Sequence, residues 1–500
     1  MNSVPSFYFF RVVCLLGIFT QLFVHADAAT PAKRLLLDND GNSTFSTLSP
    51  DFKRDIDEVV ASCPPNITTY LLCPGAGRYY YPTQVGETDP RCTQLALEHA
   101  QGRDPFGYFL QRLKAAGKET FVTIRTNDVH EPTAANEWNL PRVRREHPDV
   151  IVDPAAVARG DLDWRNWCLD YSRPEVRKFM LAIIAELLEK YEFDGVQLDW
   201  MRFPRHLSGT RDEVWAKRDH ITGFVADVRA LCRAKKRQLI VRVPTSVAGC
   251  RELGLDVVTW TQRGLVDAIS TSHFLNTDFF QPLAEMRAAL GQAAVPIYGG
   301  FDLEHGAQRH SAESLRAAVS GLYDSGADGI NIFNFPCWIE KIGAVPYDWL
   351  LGLESPATAA RKPLLYSVPT VRFRRVYELP GLLPAKLPVG ATVTFPLPLP
   401  VAALPIARAR ILVTGVPHAV KELTVKLNGQ PLEWLPLQKS PELFVEFSGP
   451  GDLPGRRPLP EASRTYRFDP MLLRAGANVL EITNASTTAA EVLTVNLGVW

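Results

Sequence analysis

Residues 193–204 read Phe193-Asp194-Gly195-Val196-Gln197-Leu198-Asp199-Trp200-Met201-Arg202-Phe203-Pro204. This stretch follows a long amphipathic segment and is typical of a short buried strand that stops before a proline. Side chains alternate along a strand, so Gln197 and Asp199 share one of its faces. Burying a carboxylate without a partner is costly. We therefore expect Asp199 to lie at a strand end, where it has either a catalytic role or an ion-pair partner.

Strand-like and helix-like segments alternate around this stretch, between residues 56 and 351. Parallel strands need a crossover between them, so the alternation predicts a parallel sheet. No glycine-rich phosphate-binding motif follows the first strand, which favours a (β/α)8 barrel of the TIM type over an open nucleotide-binding sheet. An eighth strand is expected near 165–171. The other predicted strands are 67–72, 120–125, 193–199, 239–243, 268–274, 295–301 and 329–333, and the predicted helices are 105–116, 174–191, 221–234, 283–290 and 312–323.

The sequence changes character after about residue 351, where proline becomes frequent and helical periodicity disappears. Alternating segments at 409–413, 422–427, 443–447 and 492–499, with a hairpin signal at Asn428-Gly429, predict an all-β sandwich of jelly-roll or galactose-binding-like type. The predicted plan is a signal peptide (1–28), a linker (29–55), the barrel (56–351), a second linker (352–365) and the sandwich (366–500).

The N-terminus has the pattern of a secretory signal peptide. Arg11 precedes an apolar run over 12–24, and Ala26-Asp27-Ala28 fits a cleavage site. The run is short for a permanent span. We expect a secreted, periplasmic or cell-surface protein with no stable membrane insertion after cleavage. A retained signal anchor is the alternative.

The charge balance, the cysteines and the absence of metal-binding motifs limit the kinds of partner and cofactor that we expect. Lys plus Arg and Asp plus Glu both number 54, and this balance does not favour nucleic acid and suits a neutral substrate. Seven cysteines remain after signal removal, and the irregular spacing argues against a disulfide-rich scaffold. A bridge from Cys63 or Cys73 to Cys92 stays open. No CxxC or HExxH motif occurs, so neither a metal nor another cofactor is expected.

Catalytic groups of parallel barrels collect at the carboxyl ends of the strands. The segments 193–199 and 295–301 are expected to face each other there, which makes Asp302 or Glu304 the natural second carboxylate beside Asp199. Asp199 paired with Arg202 or another arginine, simply holding the strand end, is the structural alternative. Trp138, Trp164 and Trp167 are candidates for stacking on sugar rings or for ordinary loop packing. Further candidates for substrate contact are Arg125, Asn127, Asp128, His130, Arg202, His273, Tyr298, Asn331, Asn334 and Trp338.

Residues 194–204 resemble the DG-x-x-LD-x-x-RFP strand of the bacterial glycosyl-hydrolase-like family 10 proteins. Residues 169–177 resemble the segment before the preceding helix of that family, and 125–130 with His147-Pro148 are similar to a related subgroup. The resemblance covers about 65–340. It implies a barrel, a carbohydrate-related role and an active-site carboxylate at Asp199. Gln197 stands where family members often carry Glu. The C-terminal region resembles the β-sandwich modules appended to such enzymes.

These patterns predict a secreted glycoside hydrolase that cleaves a poly- or oligosaccharide with two carboxyl groups. Asp199 is the predicted nucleophile or general base, and Asp302 or Glu304 is the predicted general acid. A non-catalytic carbohydrate-binding protein on a barrel scaffold is the alternative, which Gln197 motivates. A polysaccharide lyase or deacetylase is a third hypothesis. The sequence gives no prediction of oligomeric state.

Overall fold

The computed structural model describes residues 32–130, 140–293, 295–305, 308–369, 382–417, 420, 422–435 and 462–500. The predicted signal peptide, Trp138 and the predicted strand 443–447 lie outside these residues.

Eight parallel strands close into a barrel in the order β1-β8-β7-β6-β5-β4-β3-β2. Each strand pairs with its neighbour in the chain, and β1 pairs with β8 to close the ring. This is the predicted (β/α)8 barrel. The strands are β1 Arg34–Asn39, β2 Thr69–Leu72, β3 Glu119–Arg125, β4 Gly195–Asp199, β5 Gln238–Val243, β6 Ala268–Thr271, β7 Ile297–Phe301 and β8 Gly329–Ile332.

The first barrel strand differs from the prediction. β1 lies in the segment assigned to a linker at 29–55, while residues 165–171, expected to hold a strand, contain part of the helix Trp164–Trp167 and one bridge from Ile151 to Leu169. A parallel barrel strand is buried on both faces and so shows no alternation of polar and apolar residues. The short run Leu35-Leu36-Leu37 therefore carries no periodic signal.

Successive side chains along each strand point alternately into the barrel and outward to the helices, which determines the side chains that fill the barrel. Val196 and Leu198 of β4 pack outward into the core between strands and helices. The inward side chains form a separate apolar cluster deep in the barrel and become polar toward the carboxyl ends of the strands, called the mouth below. The inner cluster consists of Leu36, Leu71, Phe121, Ile240, Ala268 and Tyr298.

The helices surround the barrel. The longest predicted helix begins at Pro174 as expected, with Arg173 as its N-cap residue. Val176, Ile183 and Ile184 on its inner face are buried. The α-helices are Asn42–Phe45, Phe52–Ser62, Thr93–Ala100, Pro105–Ala115, Arg142–Glu146, Pro154–Ala158, Trp164–Trp167, Pro174–Lys190, Arg211–Ala216, Arg218–Ala234, Val247–Glu252, Val257–Gln262, Leu283–Leu290, Ala312–Asp324, Ile339–Ile342 and Pro356–Ala359.

The C-terminal region forms the predicted antiparallel sandwich. Its main sheets have the orders β9-β19-β12-β16-β15 and β11-β17-β13-β14, and β10 pairs with β18. Asn428 and Gly429 make the predicted hairpin turn with φ of 51° and 81°, as a two-residue turn of this type requires. The strands are β9 Leu364–Ser367, β10 Ala385–Leu387, β11 Thr392–Leu399, β12 Ala409–Thr414, β13 Leu423–Leu427, β14 Gln430–Pro431, β15 Glu433–Leu435, β16 Ser463–Arg467, β17 Gly476–Asn484, β18 Ala490–Val492 and β19 Thr494–Val499.

The sandwich shares its core with the barrel. Phe279, Ala317 and Ala318 of the barrel belong to the apolar cluster of the sandwich. The amides of Gln308 and Asn496 also exchange hydrogen bonds across this contact, at 3.0 and 3.3 Å. Part of the sandwich core is therefore supplied by the barrel.

A charge placed in this shared core is expected to destabilise the protein. Ala318 is fully buried, so Ala318→Asp should lower the free energy of unfolding by roughly 3 kcal/mol or more. Chemical denaturation measures the change. Ala312→Asp, in the half-buried first turn of the same helix, is the matched control and should have a small effect. Equal losses in both variants would show that the shared core is not a major source of stability.

All seven cysteines after the predicted signal peptide are free and buried, so Cys92 is bridged to neither Cys63 nor Cys73. Within the described ranges, no helix combines the length and the apolar character needed to cross a bilayer.

Candidate active site at the barrel mouth

Asp199 is the last residue of β4 and is 0% exposed. Arg242 lies beside it in register on β5, and its Nη1 donates to both carboxylate oxygens at 2.9 and 3.1 Å. The backbone N–H of Met201 donates to the same carboxylate at 2.9 Å. The structural alternative of an arginine pair is therefore present, and Arg242 rather than Arg202 is the partner.

The guanidinium of Arg242 is fixed from several sides. Its Nη2 donates to Ser272 Oγ at 2.8 Å, and its Cζ lies 3.7 Å from the centroid of the Phe333 ring. A guanidinium held by a carboxylate, a hydroxyl and an aromatic face has little freedom to turn away. The charge of Asp199 is therefore compensated by a rigid partner. Arg242 is a site residue that the sequence reasoning missed.

Asp38 is the second carboxyl group of this region. It is the penultimate residue of β1 and is 1% exposed. Burial, followed by the negative charge of Asp199, raises the pKa of Asp38 to about 7, and Arg242 and Arg125 oppose this rise. A carboxyl group with such a pKa retains its proton over a large part of the neutral range. The sequence reasoning missed Asp38, although the strand end Leu37-Asp38-Asn39-Asp40 carries a signal for it.

A cluster of charged side chains surrounds Arg125 at the end of β3. Arg125 Nη1 donates to Asp128 at 2.8 Å, and its Nη2 lies 3.2 Å from Asp40 Oδ2 and donates to Asn334 Oδ1 at 3.2 Å. Burial alone would raise the pKa of Asp40, but Arg125 and a hydrogen bond from Cys337 lower it overall. The structure thus brings together the predicted residues Arg125, Asp128 and Asn334, and adds Asp40.

Arg202 and His130 extend this cluster. His130 Nδ1 contacts Asp128, and Arg202 Nη2 lies 2.7 Å from His130 Nε2. Arg202 Nε lies 3.8 Å from Asp128. Burial would raise the pKa of Asp128, but His130 and the two arginines hold it well below its usual range. Asp128 is therefore an ionised acceptor at the mouth, and the half-exposed His130 presents this network to solvent.

Asp302 and Glu304, the predicted second carboxylates, follow β7. Asp302 is buried, accepts a hydrogen bond from the backbone N–H of Leu303 at 2.6 Å, and lies near enough to Arg202 for its charge to act on that guanidinium. Glu304 is half-buried in a two-residue hairpin strand that pairs with Gln308–Arg309. Asp302 therefore belongs to the mouth, whereas Glu304 lies beyond the barrel strand.

Three further predicted contact residues take part in the packing of the loops. Asn127 donates to the carbonyl of Arg205 and accepts from the backbone N–H of Leu169, both at 2.8 Å. His273 Nε2 lies 3.5 Å from Asp278 Oδ2. Trp338 is buried, and its ring centroid lies 4.4 Å from that of Phe335.

Tyr298 lies far from the mouth, contrary to the prediction. Its hydroxyl accepts a hydrogen bond at 2.9 Å from Arg34, the first residue of β1, and it pairs in register with Gly329, the first residue of β8. Tyr298 and Asp302 both point inward, but four residues at roughly 3.3 Å each separate them along the strand. Tyr298 therefore belongs to the closed amino-terminal end of the barrel.

A narrow cleft adjoins the charged cluster and is lined in part by Arg125, Asp128 and Trp167. The Trp167 ring packs under the guanidinium of Arg144 at 4.1 Å. Trp164 instead packs against Phe203 and Phe274, with ring centroids 5.3 and 5.5 Å apart. Trp167 therefore lies at the cleft, and Trp164 is engaged in loop packing.

Among the residues for which coordinates are described, no group of three or more His, Cys, Asp or Glu side chains is arranged to hold a metal ion.

Comparison with known proteins gives short or distant similarities. No protein-family model matches the chain. A 1,4-alpha-glucan branching enzyme of Nocardia farcinica is 31% identical over 122 residues, which are 23% of this chain and 15% of that enzyme. The branching enzyme of Rhodococcus jostii is 32% identical over 111 residues, 22% of this chain and 14% of its own length. The chain thus matches only about a seventh of the length of these curated relatives.

Comparison with solved structures gives distant matches, among them a glycoside hydrolase domain, a fucosidase and an alpha-galactosidase. The glycoside hydrolase domain of PgaB from Bordetella bronchiseptica has a TM-score of 0.42 at 12% identity, covering 65% of this chain and 99% of that one. The alpha-L-fucosidase isoenzyme 2 of Paenibacillus thiaminolyticus has a TM-score of 0.41 at 12% identity, covering 60% and 46%. The GH36 alpha-galactosidase AgaA of Geobacillus stearothermophilus has a TM-score of 0.41 at 12% identity, covering 94% and 56%.

Proposed function

We propose that the protein is a glycoside hydrolase that cleaves a poly- or oligosaccharide with Asp199 and Asp38. The observation that carries the proposal is that Asp38 and Asp199, two carboxyl groups in unlike surroundings, lie near enough for the charge of Asp199 to act on Asp38. Asp199 forms an ion pair with Arg242, and the pKa of Asp38 is raised to about 7. Glycoside hydrolysis needs one carboxyl group that donates a proton and a second that attacks the sugar or activates water.

This proposal distributes the catalytic roles differently from the sequence prediction. We favour Asp38 over Asp302 and Glu304 as the general acid, because burial and the charge of Asp199 raise the pKa of Asp38 to about 7. Asp199 keeps its predicted role as nucleophile or general base. Arg125, Asp128 and Arg202 supply the donors and acceptors that would bind sugar hydroxyls at the mouth.

A carbohydrate substrate is supported by two observations on the chain itself. Residues 194–204 resemble the strand of a glycosyl-hydrolase-like family, and a stretch of the chain is similar to enzymes that branch a glucan. We include export in the proposal, because residues 1–28 have the signal-peptide pattern. The substrate would then be an extracellular or periplasmic glycan.

A hydrolysis screen with polysaccharides and aryl glycosides tests the proposal, run on the wild type beside Asp38→Asn. Asparagine fills the same space without a transferable proton, so we expect kcat/KM to fall about a hundredfold. The wild type should also lose activity as the pH rises through about 7, the pKa of Asp38.

Asp302→Asn and Glu304→Gln are the comparison variants for the identity of the acid. If either of them abolishes hydrolysis while Asp38→Asn retains it, the general acid is on β7 or just beyond it, as the sequence predicts. If the wild type hydrolyses nothing in the screen, the enzyme proposal fails.

A carbohydrate-binding protein without turnover is the second candidate. The observation that favours it is the complete burial of Asp199 in its ion pair with Arg242, which leaves it engaged in the absence of substrate. Saturable glycan binding by the wild type, unchanged in Asp199→Asn and without product after long incubation, would support this candidate over the enzyme.

A further inference from the structure

Two largely polar layers of inward side chains lie at the mouth and directly beneath it. One layer is contributed by the even-numbered strands and consists of Leu71, Gln197, Ser270 and Asn331. The layer above it comes from the odd-numbered strands and consists of Asp38, Thr123, Arg242 and Gly300. Each member of the upper layer is in register with one member of the lower layer on the adjacent strand. Gly300 contributes no side chain to its layer.

The polar atoms of the lower layer lack partners. Gln197 Oε1 accepts from Thr123 Oγ1 at 2.8 Å, but Gln197 Nε2, Ser270 Oγ and both side-chain polar atoms of Asn331 have no hydrogen-bond partner in the described ranges. Asp38 Oδ2, in the layer above, has none there either. All four residues are at most 1% exposed. Leaving so many buried polar atoms unpaired in one place is costly.

Water is the molecule that suits this set of atoms. The amide nitrogens of Gln197 and Asn331 are donors, Asn331 Oδ1 is an acceptor, and the Ser270 hydroxyl is both. A buried water typically makes about three hydrogen bonds to such groups. An apolar ligand would leave these atoms unpaired, and the nearly complete burial of all three side chains favours a molecule as small as water.

We propose that Gln197, Ser270 and Asn331 bind water inside the barrel, and that this water donates a hydrogen bond to Asp38 Oδ2. Asn331 is then a positioning residue that acts, through the water, on the proton of Asp38. The last part rests on the proposed role of Asp38 as general acid. A water that donates to the carboxylate favours its ionised form. The other charged or titratable groups that act on Asp38 are Asp40, Cys73, Arg125, Asp199 and Arg242.

A high-resolution crystal structure of the full chain tests the binding site directly. The expected result is ordered water within hydrogen-bond distance of at least two of the residues Gln197, Ser270 and Asn331, with one water also reaching Asp38. Direct hydrogen bonds between these side chains, with no water among them, would overturn the proposal.

The effect on Asp38 is tested through the pH dependence of stability, which needs no substrate. The pKa of Asp38 is about 7 in the folded chain, against 3.8 for an ordinary aspartate. Its contribution to stability is therefore fully present below the ordinary value and is lost as the pH rises through about 7. Subtracting the curve of Asp38→Asn isolates this contribution.

The pH range over which the contribution of Asp38 to stability is lost is called the window below. In Asn331→Leu the Asp38 carboxylate loses one hydrogen bond, so its proton affinity should rise about tenfold and the upper end of the window should move to higher pH. Leu71→Met, the apolar member of the same layer, is the matched control and should leave the window unchanged. An unchanged window in Asn331→Leu, or an equal shift in Leu71→Met, would overturn the positioning role. If the window shifts as expected but no glycoside is hydrolysed, only the proposed function fails.

Discussion

Replacing Asp199 by Asn is expected to lower kcat/KM for glycoside hydrolysis about ten-thousandfold. The substitution removes the negative charge that would attack the sugar or activate water. It keeps an oxygen that accepts a hydrogen bond from Arg242, so the barrel should still fold. Steady-state kinetics on the best substrate of the screen, with circular dichroism to check the fold, measures the effect.

Asp194→Asn is the matched control for this variant. Asp194 directly precedes β4 at the opposite end of the strand from Asp199, and its carboxylate accepts from the backbone N–H and the hydroxyl of Thr120 at 2.8 and 3.2 Å. The same chemical change there should leave kcat/KM close to the wild-type value. Comparable losses in both variants would mean that Asp199 acts through the fold and not through the reaction.

Arg242→Leu is expected to lower the free energy of unfolding by about 3–5 kcal/mol, because it leaves a buried carboxylate without its partner. Adding Asp199→Asn to this variant removes the uncompensated charge, so the double variant should recover much of the loss. Chemical denaturation of the two single variants and the double variant gives the coupling energy between the two positions.

Arg237→Leu supplies the control for this cycle. Arg237 lies one residue before β5, and it contacts Glu192, whose side chain is exposed. Exposed ion pairs contribute at most about 1 kcal/mol, so this variant should differ little from the wild type. Equal losses for Arg237→Leu and Arg242→Leu, or no recovery in the double variant, would contradict the importance of the buried pair.

The parts of the site that follow from local sequence were predictable. Arg125, Asp128 and His130 occupy one strand end, and Arg202 follows the neighbouring strand, so adjacent parallel strands bring them together. The helix Pro174–Lys190 was predictable because its apolar residues recur at helical spacing.

The residues that were not predictable depend on register and burial. Arg242 meets Asp199 because β4 and β5 pair in a particular register, which alternation alone does not give. Alternation likewise gives the inward direction of Tyr298 but not its height along the barrel. Asp38 was missed because the run Leu35-Leu36-Leu37 before it shows no alternation, so β1 was not recognised as a strand.

The protonation of Asp38 is tested most directly by NMR titration of the aspartates, with carbon-13 in their carboxyl groups, in the wild type and in Asp38→Asn. We expect one carboxyl resonance that titrates at a pH of about 7 in the wild type and is missing from the variant. If every aspartate titrates in its ordinary acidic range, or if the raised resonance persists in Asp38→Asn, Asp38 does not hold the proton and the assignment of the general acid is wrong.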